Sequence, residues 1–297
     1  MALFWGEHGG KDPNCRLCAP GWPTIPPMNT PHRLPVLFVG HGSPMNTIED
    51  NHWRRTWQAL GPQLRERIPG VRLILCVSAH WLTHGWWLTG MDRPRTIHDF
   101  GGFPQALFDQ QYPAPGAPGL AREIAQSLQL PEGQGAVGVD EGEWGLDHGA
   151  WSVLKPMFPQ ADIPVVQLSM DYGRPPAEHL AIGRQLKAWR SRGVFIVASG
   201  NIVHNLRVMR RDVPDNQAYD WAVDFDTHVA GLIQAGDAPG LAAFQSQGEM
   251  AHLSQPTWDH YLPLLYAAGA VDPDEPIEFF NEGFQAAAIS MRSVIWG

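Results

Sequence analysis

Cysteine is scarce in this chain. Three in 297 residues cannot form a disulfide framework, so the fold must rest on a hydrophobic core and suits a reducing, cytoplasmic setting. Charge is also sparse, at 17%, and cationic charge is sparser: 21 Lys and Arg face 30 Asp and Glu, for a net charge of −9. A nucleic-acid binder needs a Lys/Arg surplus to neutralise phosphates, so that class is excluded. No apolar run approaches the roughly 18 residues needed to cross a bilayer, which argues against a membrane protein. The N-terminus lacks a basic stretch followed by an apolar one, which argues against secretion. Gly40-His41-Gly42-Ser43 lacks the later glycine and lysine of a phosphate-binding loop, and no Gly-x-Ser-x-Gly elbow occurs, so neither a P-loop enzyme nor a serine hydrolase is supported.

Apolar residues make up 44% of the chain, beside 31 Gly, 27 Pro and 13 Trp. That profile fits a globular domain carrying long, shaped loops on a rigid scaffold. The tryptophans suit either core positions or the walls of a pocket for a flat aromatic molecule.

One pattern organises the sequence. Arg33 to Val39 is a short apolar run that stops at Gly40-His41-Gly42-Ser43-Pro44. Arg72 to Ala79 is a second run, ending at His80. Gly193 to Gly200 is a third, with Asn201 and His204 just beyond it. Continuous apolar runs of this length predict strands buried on both faces, as in a mostly parallel or mixed sheet covered by helices on both sides. Ligands gather beyond the carboxyl ends of such strands. Histidines delivered to that edge point to a metal site there, because neutral imidazole suits Zn(II) and Fe(II) alike.

Between the strands, Glu49 to Leu60 predicts a helix ended by Gly61-Pro62, and Pro118 to Leu128 another. Shorter elements follow: a strand at Val137 to Val139, a helix to about Phe158 and a strand from Ile163 to Ser169. Helices are expected over Glu178 to Arg190 and Tyr219 to Ile233. The segment Thr257 to Tyr266 reads as a helix whose first turn carries His260, and the tail from Phe284 to Ile295 as the closing edge of the sheet. Residues 1–31 have no periodicity. They hold Cys15 and Cys18, a pair without the second Cys-x-x-Cys that a zinc knuckle would need, so they read as an irregular extension before a single catalytic domain over 32–297. Of the 13 histidines, His41, His80, His204 and His260 stand at element boundaries, while His98 and His148 lie in glycine-rich loops. The others, His179 among them, read as surface or locally satisfied residues.

Six segments carry a resemblance: Gly40-His41-Gly42-Ser43-Pro44-Met45-Asn46, Ser78-Ala79-His80-Trp81, Thr96 to Pro104, Asp147-His148-Gly149, Ala198 to Asn205, and Asp259-His260-Tyr261-Leu262-Pro263-Leu264. In this order they resemble the class III extradiol ring-cleaving dioxygenases, and within them the 4,5-DOPA extradiol dioxygenase-like branch, from about Leu34 to the C-terminus. The resemblance implies His41, His80 and His260 as metal ligands, His204 as catalytic acid/base, and His148 and His98 as pocket histidines. It also implies Fe(II) for activity, with Zn(II) as an ion the site also accepts, and a small catechol such as 3,4-dihydroxyphenylalanine together with O2 as substrates. A monomer or small homo-oligomer is expected. Two alternatives use the same histidines: a zinc hydrolase that activates water, and a catalytically inactive metal-binding protein on the same scaffold.

Overall fold

The computed structural model describes residues 33–131 and 135–297. The expected extension over residues 1–31, with Cys15 and Cys18, lies outside the described residues. The described residues form ten strands: β1 (Val36–Gly40), β2 (Leu73–Thr83), β3 (Trp87–Thr89), β4 (Gly138–Asp140), β5 (Val165–Asp171), β6 (Val194–Gly200), β7 (Ile277–Phe280), β8 (Phe284–Gln285), β9 (Ile289–Ser290) and β10 (Ser293–Trp296). Eight of them form one sheet in the order β4-β3-β5-β2-β6-β1-β10-β7. The four central strands β5, β2, β6 and β1 run parallel. Antiparallel pairings of β3 with β5 and of β10 with β1 make the sheet mixed.

The period-2 geometry of a strand explains the apolar runs. Val36 and Phe38 of β1, Leu73, Leu75 and Val77 of β2, and Val194, Ile196 and Ala198 of β6 point into one core. The helices Pro118–Ser127, Pro176–Arg190, Asp220–Gln234 and Leu262–Gly269 pack on that face. The alternate residues Leu37 and Val39, Ile74 and Cys76, Phe195 and Val197 point into a second core under the helices His52–Arg67 and His148–Met157. Both faces are covered, as the sequence predicts for the central strands.

Three local expectations are corrected. Gly61-Pro62 does not end the first helix, which runs from His52 to Arg67. Pro62 sits on its exposed side, where water can hydrate the carbonyl that lost its partner, while Leu64 and Ile68 continue the buried stripe. Gly61 serves a different purpose: a Cβ there would stand 2.0 Å from the Met157 carbonyl, so this is where the two helices of the second face touch. His260 is not in a helical turn. Pro263 stands in the first turn, where its missing N–H costs no helical bond and its fixed φ suits a start; the helix begins at Leu262 and His260 stays in the turn before it. Of the C-terminal segment, only β10 joins the large sheet, where it separates β1 from β7. β8 and β9 pair with each other instead.

His179 is locally satisfied, and fully buried. Its Nε2 donates to the Arg174 carbonyl at 3.3 Å, its Nδ1 accepts from the Tyr266 hydroxyl at 2.8 Å, and that hydroxyl accepts from Trp86 Nε1 at 2.7 Å. The chain of donors requires a neutral ring, and burial lowers the His179 pKa to about 4 from 6.5. The unfolded chain therefore takes up a proton below about pH 6.5 that the native chain refuses until about pH 4. Stability from this group is complete above pH 6.5 and is lost as the pH falls through that window, by about 3 kcal/mol. Urea unfolding from pH 7 to 4 should show a shallower loss in His179→Gln than in the parent chain. Parallel curves would rule the effect out.

Candidate metal centre and active site

The ends of β1, β6 and β2 lie side by side. Gly40 of β1 is in register with Gly200 of β6, and Ser199 of β6 with Ser78 of β2. His41 follows its strand immediately. His80 lies in β2 itself, inside a register shift between Val77 and Leu82, a bulge of the kind that re-aims a side chain. His260 arrives from the other side, because its backbone carbonyl accepts from Asn201 N at 2.8 Å just past β6. A Cβ on Gly200 would fall 2.2 Å from that carbonyl, so the close approach requires glycine. His204 follows on the same segment, and its ring stacks on His260 with centroids 3.4 Å apart and planes 5° from parallel.

One ligand atom from each of His41, His80 and His260 falls within 4.8 Å of the others. The hydrogen-bond partners show which nitrogens these are. Ser199 Oγ donates to the Gly149 carbonyl at 2.6 Å, so it must accept from His41 Nδ1 at 3.0 Å. His80 Nδ1 faces the Asp99 carboxylate at 3.4 Å, and His260 Nδ1 donates to Asp259. His41 and His260 have their Nδ1 protons committed to an oxygen, and the Asp99 charge favours the same tautomer at His80, an arrangement that turns a lone pair on each Nε2 inward. The Nε2 atoms of His41 and His80 then face each other 3.3 Å apart. Two lone pairs at that distance repel unless a cation lies between them, and oxygen acceptors behind ligating imidazoles are the usual support of a metal site. The donor set fits a divalent transition metal.

Electrostatics lead to the same protonation state. Burial, reinforced by His260, His148 and His204, pushes the His41 pKa well below the ordinary imidazole range. Burial, with His148, His260 and His41 behind it, does the same to His80. His204 is lowered by burial and by His260, against a smaller opposing pull from Asp259. All three are neutral and carry lone pairs near pH 7. Asp259 is the counterweight. Burial raises its pKa, but the hydrogen bond from His260 outweighs it, and the carboxyl is held far below its usual range.

His148 begins the helix His148–Met157. Its ring lies 3.8 Å from that of His80 and 5.8 Å from that of His41, centroid to centroid. Asp147, fully buried, caps this helix by accepting from Ala150 N and also accepts from Ser78 Oγ at 2.6 Å. Burial, then the nearby Asp99 charge, raises its pKa to about 6. Five of the six predicted histidines are therefore brought together. His98 is set apart: its Nε2 donates to the Gln110 carbonyl at 2.9 Å, and its ring packs against Phe100, Phe108 and Trp151. Phe100 stands between the two, since it also meets His148 edge-on at 5.4 Å.

Sequence reasoning did not single out Asp99, Asp147 or Ser199. The carboxylates did leave a trace, because His98-Asp99, Asp147-His148 and Asp259-His260 are three acid–histidine neighbours among the six histidines. Ser199 left none, since a serine at a strand end has many other uses.

Residues 30–295 match the family described as the catalytic LigB subunit of aromatic ring-opening dioxygenase. A 4,5-DOPA dioxygenase extradiol of Escherichia coli K12 is 48% identical over 267 residues, covering 88% of this chain and 94% of the relative. The protein of the same name from Beta vulgaris is 31% identical, covering 87% and 94%. The crystal structure of an uncharacterized protein from Escherichia coli K12 superposes with a TM-score of 0.75 at 42% identity, covering 89% of this chain and all of that one. No described helix is long and apolar enough to cross a membrane. With a match over nearly its whole length and the histidine cluster at the sheet edge, the chain belongs to the aromatic ring-opening dioxygenase family, as a 4,5-DOPA extradiol dioxygenase-like oxidoreductase.

Proposed function

We propose that this protein cleaves the ring of a catechol outside its two hydroxyl-bearing carbons, with O2 as the second substrate and DOPA, opened at the 4,5 bond, as the catechol. The observation that supports the reading is the convergence of the His41, His80 and His260 imidazoles on one point. His41, His80 and His260 would hold the ion. Fe(II) there supplies the redox partner that lets O2 react with a closed-shell ring, which no side chain provides.

The chain's own residues handle binding and protons. A catechol must lose protons as it is activated, and His204, neutral near pH 7 because burial and His260 keep it so, is the acceptor for one of them. The same ring returns it as the product opens. His148 has its Nδ1 turned to Asp99, which leaves Nε2 to accept from a catechol hydroxyl. His98 holds the aromatic wall formed by Phe100, Phe108 and Trp151 rather than the reacting atoms.

The test is oxygen consumption with DOPA by the chain reconstituted anaerobically with Fe(II). Uptake with formation of a ring-opened, coloured product is expected. An iron-loaded chain that consumes no oxygen with DOPA or simple catechols would sink the reading. A further result is expected of His148→Ala: kcat/KM for DOPA falls by about 10²-fold at unchanged iron content. Unchanged kcat and KM with both DOPA and a simple catechol would remove His148 from the site.

A further inference from the structure

Asp99 sits on the loop that leads to the helix Gln105–Phe108, and a single carboxylate there serves two rings. Its Oδ1 accepts from the backbone N–H of His148 at 2.9 Å. Its Oδ2 lies 3.0 Å from His148 Nδ1 and 3.4 Å from His80 Nδ1. These are ion-pair contacts and not aligned hydrogen bonds, but a carboxylate at neutral pH only accepts and repels a lone pair held this close, so the arrangement favours a proton on both nitrogens. Each ring is then fixed with its lone pair on Nε2. For His80 that lone pair points into the metal-binding cluster, and for His148 it is the one left for substrate.

We infer that Asp99 is a positioning residue shared by the metal centre and the pocket, setting the tautomers of His80 and His148 together. The inference rests on the reading of His41, His80 and His260 as metal ligands. One acceptor coupling two imidazoles means that a change at Asp99 is felt twice, in metal affinity and in the hydrogen bond offered to a catechol. A role confined to capping the helix His148–Met157 is the rival account. It is weakened by Asp147, whose side chain already caps that helix through Ala150 N.

Asp99→Asn separates the two accounts. The amide oxygen can keep the bond from His148 N, while the NH2 group replaces an acceptor with a donor exactly where the rings present their Nδ1 atoms. The probe is zinc alone, with long-range ¹H–¹⁵N spectra of the imidazoles and zinc affinity from competition with a chromophoric chelator. The His148 signal is identified by its loss in His148→Ala. In the parent chain both His80 and His148 should be protonated at Nδ1. In Asp99→Asn, His148 should shift its proton to Nε2 and zinc affinity should fall by about 10- to 100-fold, while Asp99→Glu recovers most of it. His148→Ala should bind zinc within about twofold of the parent if the ligands are His41, His80 and His260; a large loss would instead point to the neighbouring His80, Asp99 and His148 group as the metal site and overturn the inference.

An Nε2–H tautomer on either ring in the parent overturns the inference, and this holds even if Asp99→Asn fails to fold. So does an Asp99→Asn protein that folds, keeps the parental His148 tautomer and binds zinc as the parent does. Neither readout uses a catechol or oxygen, so a failure of ring cleavage would count against the proposed function and leave this inference standing. A parent chain that binds no zinc would overturn the ligand reading and the coupling with it.

Discussion

Replacing His41 by alanine will leave a chain that folds but binds Fe(II) or zinc more than about 10²-fold more weakly, beyond the range typical of residues that only touch a ligand. Turnover will fall with metal occupancy. The ring faces three others of the cluster, with centroids 5.2 Å from His80, 5.2 Å from His260 and 5.8 Å from His148. Its Nδ1 is already committed to Ser199, and its Nε2 faces His80 Nε2 at 3.3 Å. Two imidazoles remain in the variant, too few for a tight site. Metal analysis after dialysis, beside a thermal melt, checks the result. A folded His41→Ala protein that retains one ion per chain would show that the ligands lie elsewhere.

His204→Ala should behave in the opposite way. Metal content stays near that of the parent, while turnover with DOPA drops by about 10²- to 10⁴-fold, the range for losing a positioned acid/base. The ring is stacked on His260 and stands outside the His41, His80 and His260 group, so on the proposed function its removal takes away a proton acceptor and leaves the three-imidazole set whole. Metal analysis and oxygen uptake on the same preparation decide it. Loss of the ion in this variant would move His204 into the ligand set, and undiminished turnover would remove it from the chemistry.

The strand-then-histidine theme was readable because parallel strands buried on both faces leave an uninterrupted apolar signature, and because the chain puts its polar residues directly after each run. β1, β2 and β6 and their delivery of His41, His80 and the segment carrying His204 follow from that alone. Proline was harder to read. In the sequence Pro62 reads as a stop, yet it is tolerated on an exposed helix face, whereas Pro263 marks where a helix begins. Its position relative to solvent and to the first turn decides the outcome, and neither is visible in a dipeptide. The bulge in β2 was hidden for a similar reason, since it arises from pairing with β5 and not from the sequence of β2. The supporting oxygens of Asp99 and Ser199 are set by partners 49 and 158 residues away in the chain, and no local pattern records such distances. His98 resembled His148 in its glycine-rich surroundings. What separates them is that the Gln110 carbonyl lies within reach of one and the Asp99 carboxylate within reach of the other.

Gly40 and Gly200 are paired across β1 and β6, and each is pressed against backbone: a Cβ would fall 2.7 Å from the Met291 carbonyl at the first and 2.2 Å from that of His260 at the second. Main chain, unlike a side chain, cannot swing aside to make room. Anyone reshaping this catalyst for other aromatic rings should therefore treat its floor as frozen and its walls as the adjustable part. Libraries randomised at Phe100 and Phe108 can trade one side-chain volume for another, whereas those that include either glycine will be dominated by chains that have lost the seat of His260 or the end of β1.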